Sequence, residues 1–151
     1  MHVKAGHIVH GCNAQGVMGS GVALAVRQTY PRVYEGYLWQ HGQPGGLRLG
    51  VAYPELATKD LMIWNAITQG NFGPGIRQTN YEAVATCFEQ VNAHLAQGLE
   101  GMGNMQPNEV HIPLIGAARG GGNWEIIREI IEQTMDYPVT LWLPDSTVTT
   151  L

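Results

Sequence analysis

A segment near the amino terminus combines residue types that bind anions. Residues 10–21 read HGCNAQGVMGSG, after a strand-like run and before a helix-like one. Gly16, Gly19 and Gly21 allow positive φ and let the backbone approach a ligand without a Cβ in the way. A helix that begins there directs its unpaired N–H groups and the positive end of its dipole at the loop. The segment predicts an anion site, most often for phosphate; the alternative is a plain strand–turn–helix connection.

A second loop of the same design lies about a hundred residues later. A short apolar run, Val110–Ile115, precedes Gly116, Arg119 and three consecutive glycines at 120–122. Asn123 is a plausible N-cap for an amphipathic helix that begins at Trp124. Loops at the carboxyl ends of neighbouring strands can lie side by side and hold the two anionic centres of a diphosphate. Neither loop matches the dinucleotide fingerprint or the P-loop.

Three side chains beside the first loop could take part in chemistry. His10 titrates near neutral pH, so it could protonate a leaving alkoxide, activate water or attack phosphorus; the alternative is a histidine satisfied at the strand end. Asn13 could bind a ligand or cap its own turn. Cys12 could be a reactive thiol at a dipole-rich turn, although a small buried filler is favoured. The spacing of Cys, His and carboxylates does not argue for a metal.

Composition indicates one soluble α/β domain of 151 residues. The hydrophobic fraction is 44% and mean hydropathy −0.09. Eight basic and twelve acidic side chains give a net charge of −4, so no general nucleic-acid affinity is expected. No apolar run approaches the ~20 residues that span a bilayer, and we expect no signal peptide. Two cysteines favour a cytoplasmic location. A monomer without a cofactor is expected.

The periodicity alternates strands and helices, which predicts a mixed sheet between helices, a three-layer α/β/α sandwich. Val84, Phe88, Val91 and Leu95 share one face of the longest helix. Gly98–Asn108 is expected to be a mobile connector. The predicted strands are His7–Asn13, Arg48–Tyr53, Leu61–Thr68, Glu109–Ile115 and Pro138–Leu143, and the predicted helices are Gly21–Tyr30, Pro31–His41, Thr79–Gln97 and Trp124–Met135.

These loops resemble those of macro domains, the ADP-ribose-binding modules, across nearly the whole chain. The resemblance is strongest to the branch that holds yeast ADP-ribose-1''-phosphate phosphatase, terminal ADP-ribose protein glycohydrolase and the macro domains of DNA ADP-ribosylation antitoxins. Residues Asn65–Val84 and Gly116–Trp124 resemble two further segments of that branch. Its motif H-x-C-N-x-x-G-x-x-G-x-G-[IV]-A is present here as His10, Cys12, Asn13, Gly16, Gly19, Gly21, Val22 and Ala23.

The resemblance implies a role for each loop. Asn13 would hydrogen-bond the hydroxyls of the distal ribose, and His10 matches the histidine of the yeast phosphatase. The distal ribose and one phosphate would be wrapped by the first loop: Gly16, Val17, Met18, Gly19, Ser20, Gly21 and Val22. The diphosphate would be held by the second: Ile115, Gly116, Ala117, Ala118, Arg119, Gly120, Gly121, Gly122 and Asn123.

Three departures from the branch bear on activity. The amino-terminal segment that helps to hold adenine is expected to be shortened, which leaves Trp64, Phe72 or Tyr81 as stacking partners. Glycohydrolase members carry a lysine where this chain has Gln69, and some carry an aspartate where it has Gly120. Neither glutamine nor glycine supplies the nucleophile or base of lysine-dependent ADP-ribosyl hydrolysis.

Three functions remain open from the sequence. The favoured one is binding of ADP-ribose or a related nucleotide with hydrolysis of the phosphate of ADP-ribose 1''-phosphate. The second is a non-enzymatic reader or sequestering protein, with ADP-ribosylated protein as a further partner. The third is an ADP-ribosyl hydrolase that acts on protein or nucleic acid by substrate-assisted attack of water.

Overall fold

A computed structural model describes residues 2–73, 77–99, 107–117, 120–145 and 147–151. Within this part of the chain there are six strands and four helices. Their order is β1 (Gly6–Asn13), α1 (Gly21–Thr29), α2 (Pro31–His41), β2 (Ala52–Thr58), β3 (Leu61–Gln69), α3 (Tyr81–Leu99), β4 (Val110–Ile112), α4 (Trp124–Thr134), β5 (Val139–Trp142) and β6 (Val148–Thr150).

The strands form one mixed sheet in the order β2-β3-β1-β4-β5-β6. The four central strands are parallel, and β2 and β6 lie antiparallel at the two edges. Successive β1 residues alternate between faces: Ile8 packs with Val26 and Val33 of α1 and α2, whereas Val9 belongs to the cluster that contains α3 and α4. This confirms the predicted α/β class and its three layers.

The core beneath α3 follows the predicted helical spacing. Val84, Phe88, Val91 and Leu95 are all fully buried. The helix begins after Asn80, whose side chain accepts a hydrogen bond from the Ala83 backbone N–H, 3.0 Å away. A cap and a continuous apolar face together specify this helix from local sequence.

Two predicted strands differ from the structure by more than one residue at an end, and a third strand was not predicted, each for a local reason. The β2 strand covers Ala52–Thr58 rather than Arg48–Tyr53, because the chain turns at Gly50, where φ is +87°. Its Pro54 is tolerated because β2 is an edge strand. The β4 strand ends at Ile112, since Pro113 has no N–H and its carbonyl accepts a hydrogen bond from the Ile115 N–H in a tight turn. The exposed β6 strand was not predicted, as its three residues carry no apolar period.

The predicted connector Gly98–Asn108 falls largely on residues 100–106, outside the described part of the chain. Among the described residues, no helix combines the length and apolarity that crossing a bilayer requires.

Candidate functional site

Three chain segments leave the sheet at the same edge. Because β3, β1 and β4 are parallel neighbours, their carboxyl ends meet there. The first loop (residues 14–20) follows β1, residues 70–80 follow β3, and the second loop (residues 113–123) follows β4. The chain runs from β1 to β3 on one side and later to β4 on the other, so the crevice between the loops is a topological switch point, where α/β sheets bind ligands.

Asn13 organises the first loop. Its Oδ1 accepts hydrogen bonds from the N–H groups of Gln15 (2.9 Å) and Val17 (3.4 Å), and its Nδ2 donates to the Val17 carbonyl (2.8 Å). The side chain therefore caps its own turn. An amide has two N–H donors, and the second makes no hydrogen bond with another of the described residues.

The first turn of α1 has neither a side-chain cap nor an acidic residue. Its N-cap residue, Ser20, is extended and makes no side-chain cap hydrogen bond, and the turn holds no acidic residue. Gly21 has φ +58°. The exposed residues of the loop include Gly19, Ser20 and Gly21, with Val17 and Val22 at its apolar rim. Met18 is different, because its side chain is buried below the loop and anchors it.

The second loop is held by Thr79. The Thr79 Oγ1 donates to the Gly116 carbonyl (2.8 Å), which also accepts from the Gly122 N–H (2.8 Å). The Gly120 carbonyl accepts from the N–H groups of Gln78 and Thr79. Gly116 and Gly121 have φ of +74° and +72°, where a Cβ is strained. The described parts of the loop are therefore held together by hydrogen bonds, with Gly121 exposed on it.

The other described residues of the second loop differ in their exposure and contacts. The Ile115 side chain is buried in the core, and Ala117 is half-buried. Asn123 caps α4 as predicted, since its Oδ1 accepts from the Glu125 N–H at 2.9 Å. Ala118 and Arg119 lie outside the described residues.

Gln69 and Gly120, the two departures from the glycohydrolases, are neighbours. A Cβ built on Gly120 would lie 3.0 Å from the Gln69 Oε1 and would overlap Thr79 Oγ1. The Gln69 Nε2 donates to the Asn71 carbonyl. Thr79 therefore occupies the space that a side chain at position 120 needs, and this corner of the site holds hydrogen bonds instead of a nucleophile and a base.

The structure does not bring His10 into the crevice. Its side chain faces α2, and its Nε2 lies 2.7 Å from Asn65 Oδ1, while Asn65 Nδ2 donates to the Val33 carbonyl. Because Asn65 Oδ1 only accepts, Nε2 carries the proton. Burial lowers the His10 pKa from 6.5 to about 4, despite the hydrogen bond that His10 donates to Asn65, which raises the pKa in part. The imidazole is neutral near pH 7, and the Cα of His10 lies about 10 Å along the strand from the Cα of Asn13.

The neighbouring Cys12 is also out of reach of a ligand. It is buried, and its Sγ lies 3.6 Å from His10 Nε2. Burial raises the pKa of the thiol, so that no thiolate forms near neutral pH. The preferred interpretation of Cys12 as a buried filler agrees with this position.

Of the three aromatic candidates for stacking on adenine, Trp64 is not accessible to a ligand. It is 2% exposed in the core, where its Nε1 donates to His7 Nδ1. Phe72 is 51% exposed in the loop after β3. Tyr81 lies beside the second loop: its hydroxyl oxygen accepts from the Asn123 N–H (3.0 Å), and the Arg77 guanidinium lies 4.4 Å from its ring centroid.

Sequence reasoning missed Arg77, Thr79 as the anchor of the second loop, and Tyr37, whose hydroxyl reaches Asn13. Arg77 lies close in sequence to Thr79 and Asn80, the residues that precede α3, and this position could have predicted a cation at this edge of the sheet. No signal in the local sequence pairs Tyr37 with a residue 24 positions away. No group of three or more His, Cys, Asp or Glu side chains in the described ranges is placed to hold a metal ion.

The six-stranded mixed sheet, with its two glycine-rich loops at one switch point, has the fold of solved macrodomains. The chain matches a protein of unknown function from Bacteroides thetaiotaomicron with a TM-score of 0.80 and 24% identity, over 95% of this chain and 90% of that one. It matches a macrodomain protein from Streptomyces coelicolor with a TM-score of 0.68 and 28% identity, over 93% and 90%. Thermosipho africanus DarTG, solved in complex with ADP-ribose, matches with a TM-score of 0.70 and 18% identity, over 93% of this chain and 38% of that one.

The chain belongs to the same family as the uncharacterized 17.5 kDa protein of the tk-vs intergenic region of Enterobacteria phage T4. The two are 30% identical over 129 residues, which cover 83% of this chain and 77% of the phage protein. No protein-family model matches the chain.

Proposed function

We propose that this macro domain binds ADP-ribose, free or attached to protein, in the crevice between its two glycine-rich loops. The observation that carries the proposal is the pair of fixed loops at neighbouring strand ends, one of which leads into a helix with no side-chain cap. Backbone N–H groups and a helix dipole favour phosphate there. The ADP-ribose complex of Thermosipho africanus DarTG, which has the same fold, supports the choice of ligand.

The two loops divide the ligand between them in this proposal. The free N–H of Asn13 Nδ2 meets the distal ribose, and residues 16–22 enclose that sugar and one phosphate. The described residues of the second loop, 116–117 and 120–123, face the diphosphate. The exposed ring of Phe72 is available to the adenine.

Hydrolysis of ADP-ribose 1''-phosphate is the second candidate function. The observation in its favour is the position of His10 on the strand that leads into Asn13. Two observations favour binding without turnover: the His10 Nε2 proton is committed to Asn65, and Gln69 and Gly120 provide no ionisable group. The placement of Thr79 also disfavours a lysine- and aspartate-dependent hydrolase.

We expect saturable binding of ADP-ribose and no release of phosphate from ADP-ribose 1''-phosphate. Calorimetric titration with ADP-ribose, with AMP and ADP as controls, measures the first, because even a ~4 kcal/mol interaction registers at millimolar ligand. Incubation with ADP-ribose 1''-phosphate and assay of free phosphate measures the second. Release that falls about a hundredfold in a folded His10→Ala variant would identify a phosphatase, and the absence of any heat of binding would reject the proposed function.

A further inference from the structure

One face of α2 is directed at β1 and the turn that follows it. Val33, Tyr37 and His41 are spaced four residues apart and so share a face of the helix. The Val33 carbonyl accepts from Asn65, which in turn bonds His10. The His41 ring packs on Gly16, where a Cβ would lie 2.8 Å from its Cδ2. The first loop therefore rests on α2 at successive turns of the helix.

Tyr37 makes the central contact of this face. It is completely buried, and its hydroxyl, which has one proton to donate, lies within hydrogen-bond distance of both oxygens of Asn13: 2.7 Å from the backbone carbonyl and 3.0 Å from the side-chain Oδ1. Burial raises the pKa of the phenol, so it remains a donor at neutral pH, although the nearby N–H groups of Gly16 and Val17 lower the pKa in part. A buried phenol hydroxyl needs hydrogen-bond partners, and Tyr37 finds all of the partners named here in the single turn that follows β1.

The hydroxyl is one of the contacts that fix the direction of the Asn13 side chain. Oδ1 is shared by three donors, namely Tyr37 and the N–H groups of Gln15 and Val17. With Oδ1 fixed and one Nδ2 proton on the Val17 carbonyl, the direction of the other Nδ2 proton is also fixed. Without the hydroxyl, the Asn13 carbonyl loses its 2.7 Å donor, and a buried acceptor is left unsatisfied.

We propose that Tyr37 is a positioning residue for the ligand site, one that holds the free amide N–H of Asn13 toward the distal ribose. The inference rests on the proposed function. Tyr37 touches no ligand, since it lies below the turn in the layer between the sheet and α2. Its effect falls on ligands that carry the distal ribose, because Tyr37 contacts Asn13, whose free N–H meets that ribose, whereas the backbone N–H groups that face phosphate do not depend on the direction of the Asn13 amide.

Tyr37→Phe tests this, with Tyr34→Phe as the matched control. Tyr34 is on the same helix and stacks on Tyr37 at 6.3 Å, and Arg27 covers its ring. We expect Tyr37→Phe to weaken ADP-ribose binding about tenfold, the usual effect of one buried hydrogen bond, and to leave the weaker binding of ADP unchanged. Tyr34→Phe should change neither affinity. In the NMR spectrum of Tyr37→Phe, the backbone amide resonances of Gln15 and Val17 should be shifted relative to those of the wild type.

A double-mutant cycle shows whether Tyr37 acts through Asn13. If it does, Tyr37→Phe combined with Asn13→Ala binds ADP-ribose no more weakly than Asn13→Ala alone. Equal loss for ADP-ribose and ADP, additive losses in the cycle, or failure of Tyr37→Phe to fold assigns Tyr37 a purely structural role and overturns the inference. Unchanged ADP-ribose affinity in Tyr37→Phe overturns it too. Lack of ADP-ribose binding by the wild-type protein is a separate result, which rejects the proposed function and the inference together.

Discussion

Replacing Gly121 by glutamate is expected to lower the affinity for ADP-ribose at least a hundredfold while the fold persists. Gly121 is exposed on the second loop with φ +72°, a conformation that side chains rarely adopt. The new carboxylate would occupy the space proposed for the diphosphate. Like charges brought together in a crevice cost several kcal/mol, and several kcal/mol correspond to a hundredfold or more in Kd. Calorimetric titration of the variant with ADP-ribose measures the loss.

Two further variants separate charge, bulk and backbone strain. Gly121→Gln has nearly the same size without the charge and should lose less affinity. Gly46→Glu carries the same charge at φ +59°, in the turn after α2, and should bind ADP-ribose like the wild type. Full affinity in a folded Gly121→Glu protein would show that the second loop is structural only.

Acid is expected to destabilise the fold strongly, because two buried histidines must be neutral. His7 is fully buried and His10 is 1% exposed. Burial is the main cause that lowers each pKa from 6.5 to about 4, with the charge of His94 adding to it at His7. The unfolded chain therefore binds two more protons than the fold between these values. Their contribution to stability is complete above pH 6.5 and is lost progressively as the pH falls to 4.

At pH 5 the expected loss is about 2 kcal/mol for each histidine, and below pH 4 it is about 3 kcal/mol for each. Urea unfolding followed by circular dichroism at pH 7.5 and pH 5 measures it. His10→Asn is the matched variant, since its amide can still bond Asn65, and it should show about half of the pH dependence. Equal unfolding free energies at the two pH values would contradict the buried, neutral assignment of both histidines.

Local sequence was sufficient for the elements that surround the site. The caps at Asn80 and Asn123 and the apolar face of α3 depend on neighbours within one or two helical turns. Positive φ at Gly16, Gly21, Gly116 and Gly121 agrees with the glycine-rich loops. The two edge strands were harder to predict from the sequence, because β2 contains Pro54 and β6 is short and exposed.

The features of the site that could not be predicted from the sequence depend on contacts between residues far apart in the chain. His10 was a plausible catalytic residue by position, but strand alternation directs its side chain to Asn65 and α2. Gln69, Thr79 and Gly120 come together only because β3 and β4 flank β1. The residues that hold the two loops, Tyr37 and Thr79, act through contacts 24 and 37 positions apart in the chain.

The most direct test of the central claim is an ADP-ribose titration of the 15N-labelled protein followed by NMR. If one ligand occupies a crevice made by both loops, the amide resonances of residues 16–22 and 120–123 will shift together and give one common Kd. Resonances of the distant edge strand, residues 148–150, will stay in place. Shifts confined to one loop, or shifts that leave both loops unchanged, would contradict a shared ADP-ribose site.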